Sequence, residues 1–143
     1  MDEPRPRDQR RRDTLRRLSE DVDAWVATAA DGMPCLVPLS FHWDGGALYL
    51  STFDTNPTAR NIVSNGNVRL TLGQTRDVVL IDGIGTRAIP PDEVAAAFAE
   101  RAGFDPRTLK RYPYFRVVPR SIQAWREVNE IADRDIMRDG EWL

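Results

Sequence analysis

Three residue types that often carry chemistry in proteins are scarce in this sequence. Its 143 residues include one cysteine and one histidine, and Lys110 is the only lysine. With Cys35 alone, neither an internal disulfide nor a cysteine-based metal cage can form, which is typical of a reducing compartment such as the cytoplasm. With His42 alone and scattered acidic residues, the sequence has neither a zinc signature nor a catalytic triad. We therefore interpret Cys35 as a small buried hydrophobe and His42 as a structural residue.

Long apolar runs and a large net charge are also missing. No apolar segment approaches the roughly 20 residues that span a bilayer, and the N-terminus lacks the apolar core of a signal peptide. The formal net charge of -2 gives no general attraction to nucleic acid or to a membrane surface. Phosphate-loop and dinucleotide-fold glycine patterns are absent as well. These absences predict a cytoplasmic protein whose partners include neither nucleic acid nor membrane.

Residues 1–24 differ from the rest of the chain in their charge. Acidic residues are interleaved with the arginines of this segment, which is more typical of a solvated leader and helix than of an arm that binds nucleic acid. Leu15, Leu18 and Val22 fall at helical spacing and are expected to dock this helix on residues 25–143, which we interpret as one domain. The arginines of the segment are Arg5, Arg7, Arg10, Arg11, Arg12, Arg16 and Arg17.

Short apolar or β-branched segments, separated by turn signals, recur through residues 25–143. Asp31-Gly32 and Asp44-Gly45-Gly46 are tight-turn signals of the kind that join antiparallel strands. Gly83 and Gly85, inside a later segment, are typical of a bend or of a close approach between backbones. The pattern predicts six strands, at residues 25–29, 35–41, 47–52, 68–72 and 78–85 and, bent at Pro119, at 114–125.

Two further helices are predicted between these strands. Asn56 can cap a helix that starts at Pro57, a residue suited to the first helical position, and Asn65-Gly66 stops it. An alanine-rich segment from Asp92 to Arg101 has acidic residues in its first turn and a glycine just after its end. Six short strands with few helices indicate a mainly β (α+β) chain, and a barrel is the arrangement that removes exposed sheet edges.

An ordered set of short motifs runs from Trp25 to Arg126 and resembles the pyridoxamine 5′-phosphate oxidase-like split-barrel family. The fold that this resemblance implies is a six-stranded antiparallel split β-barrel with a few short helices. The motifs are Asp31-Gly32-Met33-Pro34, Pro38-Leu39-Ser40-Phe41, Leu50-Ser51-Thr52, and Arg60-Asn61-Ile62 leading to Val68-Arg69-Leu70.

The resemblance also implies a homodimer with two flavin sites at the subunit interface, each built from both chains. The cofactor would be FMN or a related deazaflavin coenzyme, and the substrate a small molecule. Its phosphate is expected where the third strand enters the short helix, because free backbone N–H groups and the positive helix end bind anions. There Thr58 can donate a hydroxyl and Arg60 a bidentate fork to phosphate oxygens, and Asn61 belongs to the same motif.

The remaining candidate cofactor residues come from two distant parts of the chain. The isoalloxazine ring is expected along residues 38–40, whose backbone can meet its polar edge, with Thr52 on the neighbouring strand. Gln123, Trp125 and Arg126 resemble the segment that in relatives approaches the cofactor, in part across the dimer interface. The ring candidates on the second strand are Pro38, Leu39 and Ser40.

Two departures from the family's pattern bear on the substrate. Many relatives place a lysine where this helix has Thr58, so Arg60 has to substitute for it, with Arg69 or Arg126 as alternatives. The true oxidases carry basic residues along the second strand, whereas residues 35–41 hold none and His42 stands near the expected lysine. Pyridoxamine phosphate is therefore a poor candidate substrate.

The sequence leaves two functions open. In the first, an oxidoreductase, the protein orients a flavin that supplies hydride or electron chemistry, so no acid–base side chain is strictly required. In the second, the same barrel is a non-catalytic module that holds a flavin or haem for storage or regulation. Some split barrels bind haem, and His42 is the only possible imidazole ligand in this chain.

Overall fold

A single antiparallel sheet curls around the core of the molecule. The computed structural model describes residues 1–143. Its strands are β1 (Asp23–Ala30), β2 (Met33–Ser40), β3 (His42–Trp43), β4 (Leu48–Ser51), β5 (Asn67–Leu72), β6 (Val78–Ala88), β7 (Tyr114–Trp125), β8 (Asp135–Arg138) and β9 (Glu141–Trp142). They lie in the order β2-β1-β5-β6-β7-β4-β3, and β8, which carries β9, also pairs with β7. The six predicted strands are all present, and the short strands β3, β8 and β9 go beyond the prediction.

Two tight turns with left-handed backbone join hairpins of this sheet. Asp31-Gly32 connects β1 to β2 with φ angles of 51° and 75°, the positive pair that a type I′ turn requires. Asp139-Gly140 connects β8 to β9 with φ angles of 53° and 79°. The first turn fixes the register of β1 on β2, in which Trp25 lies opposite Pro38.

A bulge between Asp82 and Gly83 bends β6 where it pairs with β7. A Cβ atom at Gly83 would lie 2.7 Å from Val117 Cγ1 and 2.8 Å from the carbonyl oxygen of Val118, so only glycine fits there. The backbones therefore approach closely at this point, as the glycine pattern predicts, and the sheet curls into a half-barrel. The predicted fold class, a mainly β split barrel with a few short helices, is confirmed.

Three α-helices accompany the sheet. They are α1 (Arg7–Glu20), α2 (Pro57–Asn65) and α3 (Asp92–Ala102), and two 3-10 helices span Pro106–Thr108 and Val128–Asp133. Left-handed glycines end α2 and α3, with φ angles of 74° at Gly66 and 79° at Gly103. None of the helices is long and apolar enough to cross a membrane.

The inner face of the sheet buries the main apolar cluster. Alternate residues of β1, β5 and β6 point inward, and Val26, Leu70 and Ile81 have no exposed surface. Helix α2 adds Ile62 to the same cluster. A second, smaller cluster lies between α3 and the sheet and consists of Tyr49, Ala95, Phe98 and Tyr114.

Residues 5–20, which we call the N-terminal strap, are less solvated than their charge predicts. Arg10 is 2% exposed, and its guanidinium donates to the carbonyl oxygens of Asp133 at 2.5 Å and Ala124 at 3.3 Å. These carbonyls and the Asp133 carboxylate, 2.9 Å from Arg10 Nη2, satisfy the buried donors, which is why a charged side chain is tolerated there. Leu18 is buried as predicted, but Val22 follows the end of α1 and is 41% exposed, so its predicted docking role is wrong.

Candidate functional site

The chain passes from β4 into α2 at the place where the sequence predicts a phosphate site. Thr52 is buried there, and its hydroxyl accepts a hydrogen bond of 2.9 Å from Asn56 Nδ2. Asn56 is thereby turned away from the helix, and α2 begins without a side-chain cap. The uncapped N-terminus of α2 keeps its capacity to attract an anion.

Helix α2 is fixed against the β1–β2 hairpin by polar contacts that include those of two predicted phosphate residues. Asn61 Nδ2 donates to Thr28 Oγ1 at 3.1 Å, and the Thr58 hydroxyl lies 3.6 Å from Cys35 Sγ. Thr58 is only 2% exposed. Of the predicted phosphate residues on α2, Thr58 and Asn61 therefore already have partners within the protein, whereas Arg60 is exposed.

Three arginines line a groove of about 510 Å³ beside α2, which we call the arginine groove. Arg111 is held there by an ion pair of 2.9 Å to Asp54 and by stacking of its guanidinium 4.7 Å from the ring centre of Phe53. The guanidinium groups of Arg60 and Arg87 make no hydrogen bond and no ion pair within the protein, and both side chains are exposed. Two cationic forks therefore face this groove without a protein partner, the arrangement that phosphate oxygens require.

Sequence reasoning found Arg60 but missed Arg87 and Arg111. Strand β6 continues to Ala88, past the predicted end at residue 85, and this extension carries Arg87 to the groove. Arg111 has a positive φ of 66°, which is uncommon for a residue other than glycine, and its carbonyl accepts a hydrogen bond from the Asp54 N–H. Neither feature has a local sequence signal, because both depend on how distant segments meet.

The predicted ring residues alternate between the two faces of β2. Leu39 packs against the main core, whereas Pro38 is exposed on the opposite face beside Trp25. Ser40 shares the face of Pro38, and its hydroxyl donates to Asp23 Oδ1 at 2.7 Å. The second strand therefore presents Pro38 and Ser40 outward and uses Leu39 for packing.

A single row of cross-strand neighbours joins Pro38 to Gln123 on the outside of the sheet. With neighbouring strands about 4.8 Å apart, the ends of this row are separated by about 19 Å measured along the curved sheet. Gln123 Nε2 donates to Asp135 Oδ1 at 2.7 Å, and Arg134 lies over the ring of Trp125 at 5.7 Å. Within one chain the two groups of candidates thus share a face without touching. The row consists of Pro38, Trp25, Thr71, Leu80 and Gln123.

The same outer face carries large exposed apolar side chains. Leu36 is 62% exposed and Trp25 51% exposed, and a shallow groove of about 470 Å³ crosses β1, β5 and β6 beside them. Arg69 is paired here with Asp82 at 2.5 Å, and Arg126 is paired elsewhere with Asp77 at 3.2 Å. The two alternative phosphate ligands of the sequence prediction are therefore already neutralised.

His42 lies apart from all of these grooves. Burial and the neighbouring Arg101 guanidinium lower the pKa of His42, so the imidazole is neutral near pH 7. Its Nδ1 atom is buried without a hydrogen-bond partner. His42 lines neither the arginine groove nor the groove across β1, β5 and β6. The chain also has no cluster of three or more metal-ligating side chains.

Solved structures of several other proteins share this fold. A FAD-binding protein from Mesorhizobium loti superimposes with a TM-score of 0.64 and 18% identity, covering 78% of this chain and 89% of that chain. An F420 reductase superimposes with a TM-score of 0.61 and 22% identity, covering 73% of this chain and 91% of that chain. The haem storage protein HutZ from Vibrio cholerae superimposes with a TM-score of 0.66 and 15% identity, covering 92% of this chain and 99% of that chain. At these identities the likeness establishes the fold alone.

Sequence comparison adds the family. No protein with a curated description matches this chain. The model of the pyridoxamine 5′-phosphate oxidase family, in contrast, matches residues 14–129, which include every strand of the barrel from β1 to β7 and all the predicted cofactor residues. The chain belongs to the pyridoxamine 5′-phosphate oxidase family, the resemblance that its motifs indicate.

Proposed function

We propose that this protein binds FMN at the arginine groove and acts as a flavin-dependent oxidoreductase on a small molecule. The observation that carries the proposal is the pair of unpartnered guanidinium groups, Arg60 and Arg87, beside the uncapped N-terminus of α2. A phosphate group supplies the oxygens that both forks lack, and the helix end favours the same negative charge.

Other residues of the groove have supporting roles in this proposal. Asp54 holds Arg111 in place, so Arg111 adds positive potential more than it adds free donors. Thr58 and Asn61 fix α2 on the β1–β2 hairpin and thereby position Arg60. The bound flavin would supply the hydride or electron chemistry, which agrees with the absence of a catalytic acid–base pair among these residues.

We further propose that two copies of the chain form a homodimer through the outer face of the sheet. Exposed apolar side chains as large as Trp25 and Leu36 on one face are typical of an interface. A two-fold axis that crosses the Pro38–Gln123 row at its midpoint would bring Gln123 of one copy opposite Pro38 of the other. This arrangement unites the two groups of candidate residues that one chain keeps apart.

Related structures include a FAD-binding protein, an F420 reductase and a haem storage protein, so the cofactor has three candidate types. Haem is the least favoured, because Arg101 stands beside His42 and the arginine groove does not include His42 in its lining. FMN and the deazaflavin coenzyme F420 both carry a phosphate that suits Arg60 and Arg87. FMN is preferred because the rest of the arginine groove offers no further free cation for a longer anionic tail.

The proposal is tested on the purified protein by absorption spectroscopy and by mass spectrometry of the small molecule released on denaturation. FMN is expected, and the bound flavin should be reducible and then reoxidised by a small acceptor such as a quinone. Recovery of F420 would replace the cofactor assignment, and recovery of haem would support the storage function. A flavin that resists reduction and reoxidation would contradict the oxidoreductase activity while leaving cofactor binding intact.

The dimer is tested separately by light scattering. Leu36→Asp places a charge on the outer face and should convert the dimer to a monomer at micromolar concentration. Val128→Asp is the matched control, because Val128 is 68% exposed and lies on a 3-10 helix, outside the strands that form that face. A wild-type protein that is monomeric with and without flavin would overturn the shared-site arrangement.

A further inference from the structure

A second groove, larger than the arginine groove, lies on the other side of Arg87. It has a volume of about 770 Å³ and runs between the end of β6, the start of α3 and the start of β7. Arg87 lines both grooves, so the two are neighbours. Because Tyr114 lines this second groove, we call it the Tyr114 groove. Its apolar wall consists of Ala88, Ile89, Pro90, Ala95 and Pro113.

The hydroxyl of Tyr114 has no hydrogen-bond partner. The residue is 8% exposed, and its oxygen is buried without a donor or acceptor in reach. Its ring packs edge-on against Phe98, with 5.6 Å between the ring centres. A buried hydroxyl without a partner is unfavourable, and in a residue that lines a groove it points to a ligand that supplies the missing partner.

Of the charged side chains around the Tyr114 groove, one has a protein partner and two do not. Arg107 is bound by two atoms of its guanidinium to the carboxylate of Asp105, at 2.9 and 3.0 Å. Arg87 has no protein partner, and it lines this groove as well as the arginine groove, so its several N–H donors are available to a ligand on either side. Asp92, in the first turn of α3, is a free anion on the opposite wall, where the helix dipole stabilises it.

We propose that the Tyr114 groove binds a small monoanion with a flat apolar body and a hydrogen-bonding group at its far end. The anionic group pairs with Arg87, the body lies on the apolar wall, and the distal group bonds to the Tyr114 hydroxyl. Asp92 repels a second negative group, which restricts the ligand to one charge. Burial and the nearby Asp105 raise the pKa of Tyr114, so the hydroxyl keeps its proton and can donate.

Three small probes separate these contacts in a calorimetric titration of the full-length protein. The probe 4-hydroxybenzoate has both polar groups, benzoate lacks the hydroxyl, and 4-hydroxybenzyl alcohol lacks the charge. We expect 4-hydroxybenzoate to bind about five- to tenfold more tightly than either of the others, the usual effect of one hydrogen bond or one exposed charge contact. Equal affinity for all three probes would overturn the proposal.

Two variants assign the contacts to residues. Tyr114→Phe should make 4-hydroxybenzoate bind no better than benzoate, and Arg87→Gln should weaken both carboxylates about five- to tenfold and leave the alcohol unchanged. Arg107→Gln is the matched control, because Arg107 lines the same groove but is already paired, and it should change each affinity less than about twofold. Variants that leave the order of the three probes unchanged would contradict the assignment.

Two further measurements distinguish a ligand contact of Tyr114 from a structural role and from an effect of the proposed FMN site. Tyr114→Phe should unfold at the same denaturant concentration as the wild type or a higher one, since it removes a hydroxyl without a partner. A lower midpoint would indicate a structural role for the hydroxyl and count against the ligand contact. Arg60→Gln should leave binding of the three probes unchanged, because Arg60 lines only the arginine groove, whereas Arg87 lines both grooves. Arg60→Gln therefore distinguishes a failure of the proposed FMN site from a failure of the Tyr114 groove.

Discussion

Arginine serves two different purposes in two regions of this molecule. In the N-terminal strap, Arg5 and Arg10 are almost completely buried, and their guanidinium groups are bonded to carboxylates or carbonyls. In the arginine groove, Arg60 and Arg87 are exposed and have no protein partner. The difference teaches that guanidinium groups without a protein partner, and not the number of arginines, distinguish the region that we propose as a binding site.

The strongest test of this comparison removes the central acceptor of the strap. Glu130 is 4% exposed and accepts hydrogen bonds from Arg5 Nη2 and from the backbone N–H of Arg126, both at 2.8 Å. Glu130→Ala leaves Arg5 buried without its main partner and should lower the free energy of unfolding by about 3 kcal/mol. Urea denaturation measures this loss, with the exposed Glu127→Ala as control. A loss below about 1 kcal/mol would show that the Arg5–Glu130 pair is no stronger than an exposed surface ion pair.

The same carboxylate should make stability depend on acid. Hydrogen bonds from Arg5 lower the pKa of Glu130 from its usual 4.5 to about 2. Because the folded-state pKa is depressed, the stabilisation is complete above pH 4.5 and is lost as the pH falls from there towards 2. Urea midpoints measured across this interval should fall more steeply for the wild type than for Glu130→Gln. Parallel curves would mean that Glu130 does not contribute to the acid sensitivity.

The test of the arginine groove measures ligand affinity and not the stability of the protein. Arg60→Ala should weaken FMN about ten- to a hundredfold, the worth of one charge-assisted hydrogen bond of roughly 1.5–3 kcal/mol. Riboflavin, which has no phosphate, should bind the variant and the wild type almost equally. Fluorescence titration measures both affinities, with the strap variant Arg12→Ala as control. Equal losses for FMN and riboflavin, or no loss for either, would remove Arg60 from the phosphate site.

The smallest effect is expected at the edge of the strap. Arg7 pairs with Asp133 at 2.7 Å, but both side chains are about half exposed. Solvent screens such a pair, so Arg7→Gln should reduce the free energy of unfolding by about 0.3 kcal/mol, measured by urea denaturation. A loss similar to that of Glu130→Ala would show that exposed and buried pairs of the strap act as one unit.

Local sequence patterns were sufficient to predict most of this fold. Turn residues such as Asp31-Gly32 determine backbone geometry within a few residues, and Pro57 with Gly66 defines a helix by the same short-range rules. The predicted bounds of α2 and α3 are therefore correct to within two residues. Strands β8 and β9 were not predicted because they are short, and because β8 depends on pairing with β7 and β9 on pairing with β8.

The candidate site was less predictable because its parts are distant in sequence. Arg60 belongs to a helix start that can be recognised locally, but Arg87 and Arg111 reach the arginine groove only through tertiary packing. The burial of Arg10 was missed for the same reason, since its acceptors lie on the C-terminal part of the chain. Composition and spacing identify charged residues without showing which of them find partners.

The hydrogen bonds between Arg5 and Glu130 join residues that are 125 positions apart. During synthesis Arg5, Arg7 and Arg10 therefore lack their carboxylate acceptors, Glu130 and Asp133, until almost the whole chain has been made. Loop closure over such a length is slow and entropically costly, so the strap is expected to dock after the barrel has formed. Until that step, its charged side chains remain hydrated, which keeps the first segment of the chain soluble while the sheet assembles.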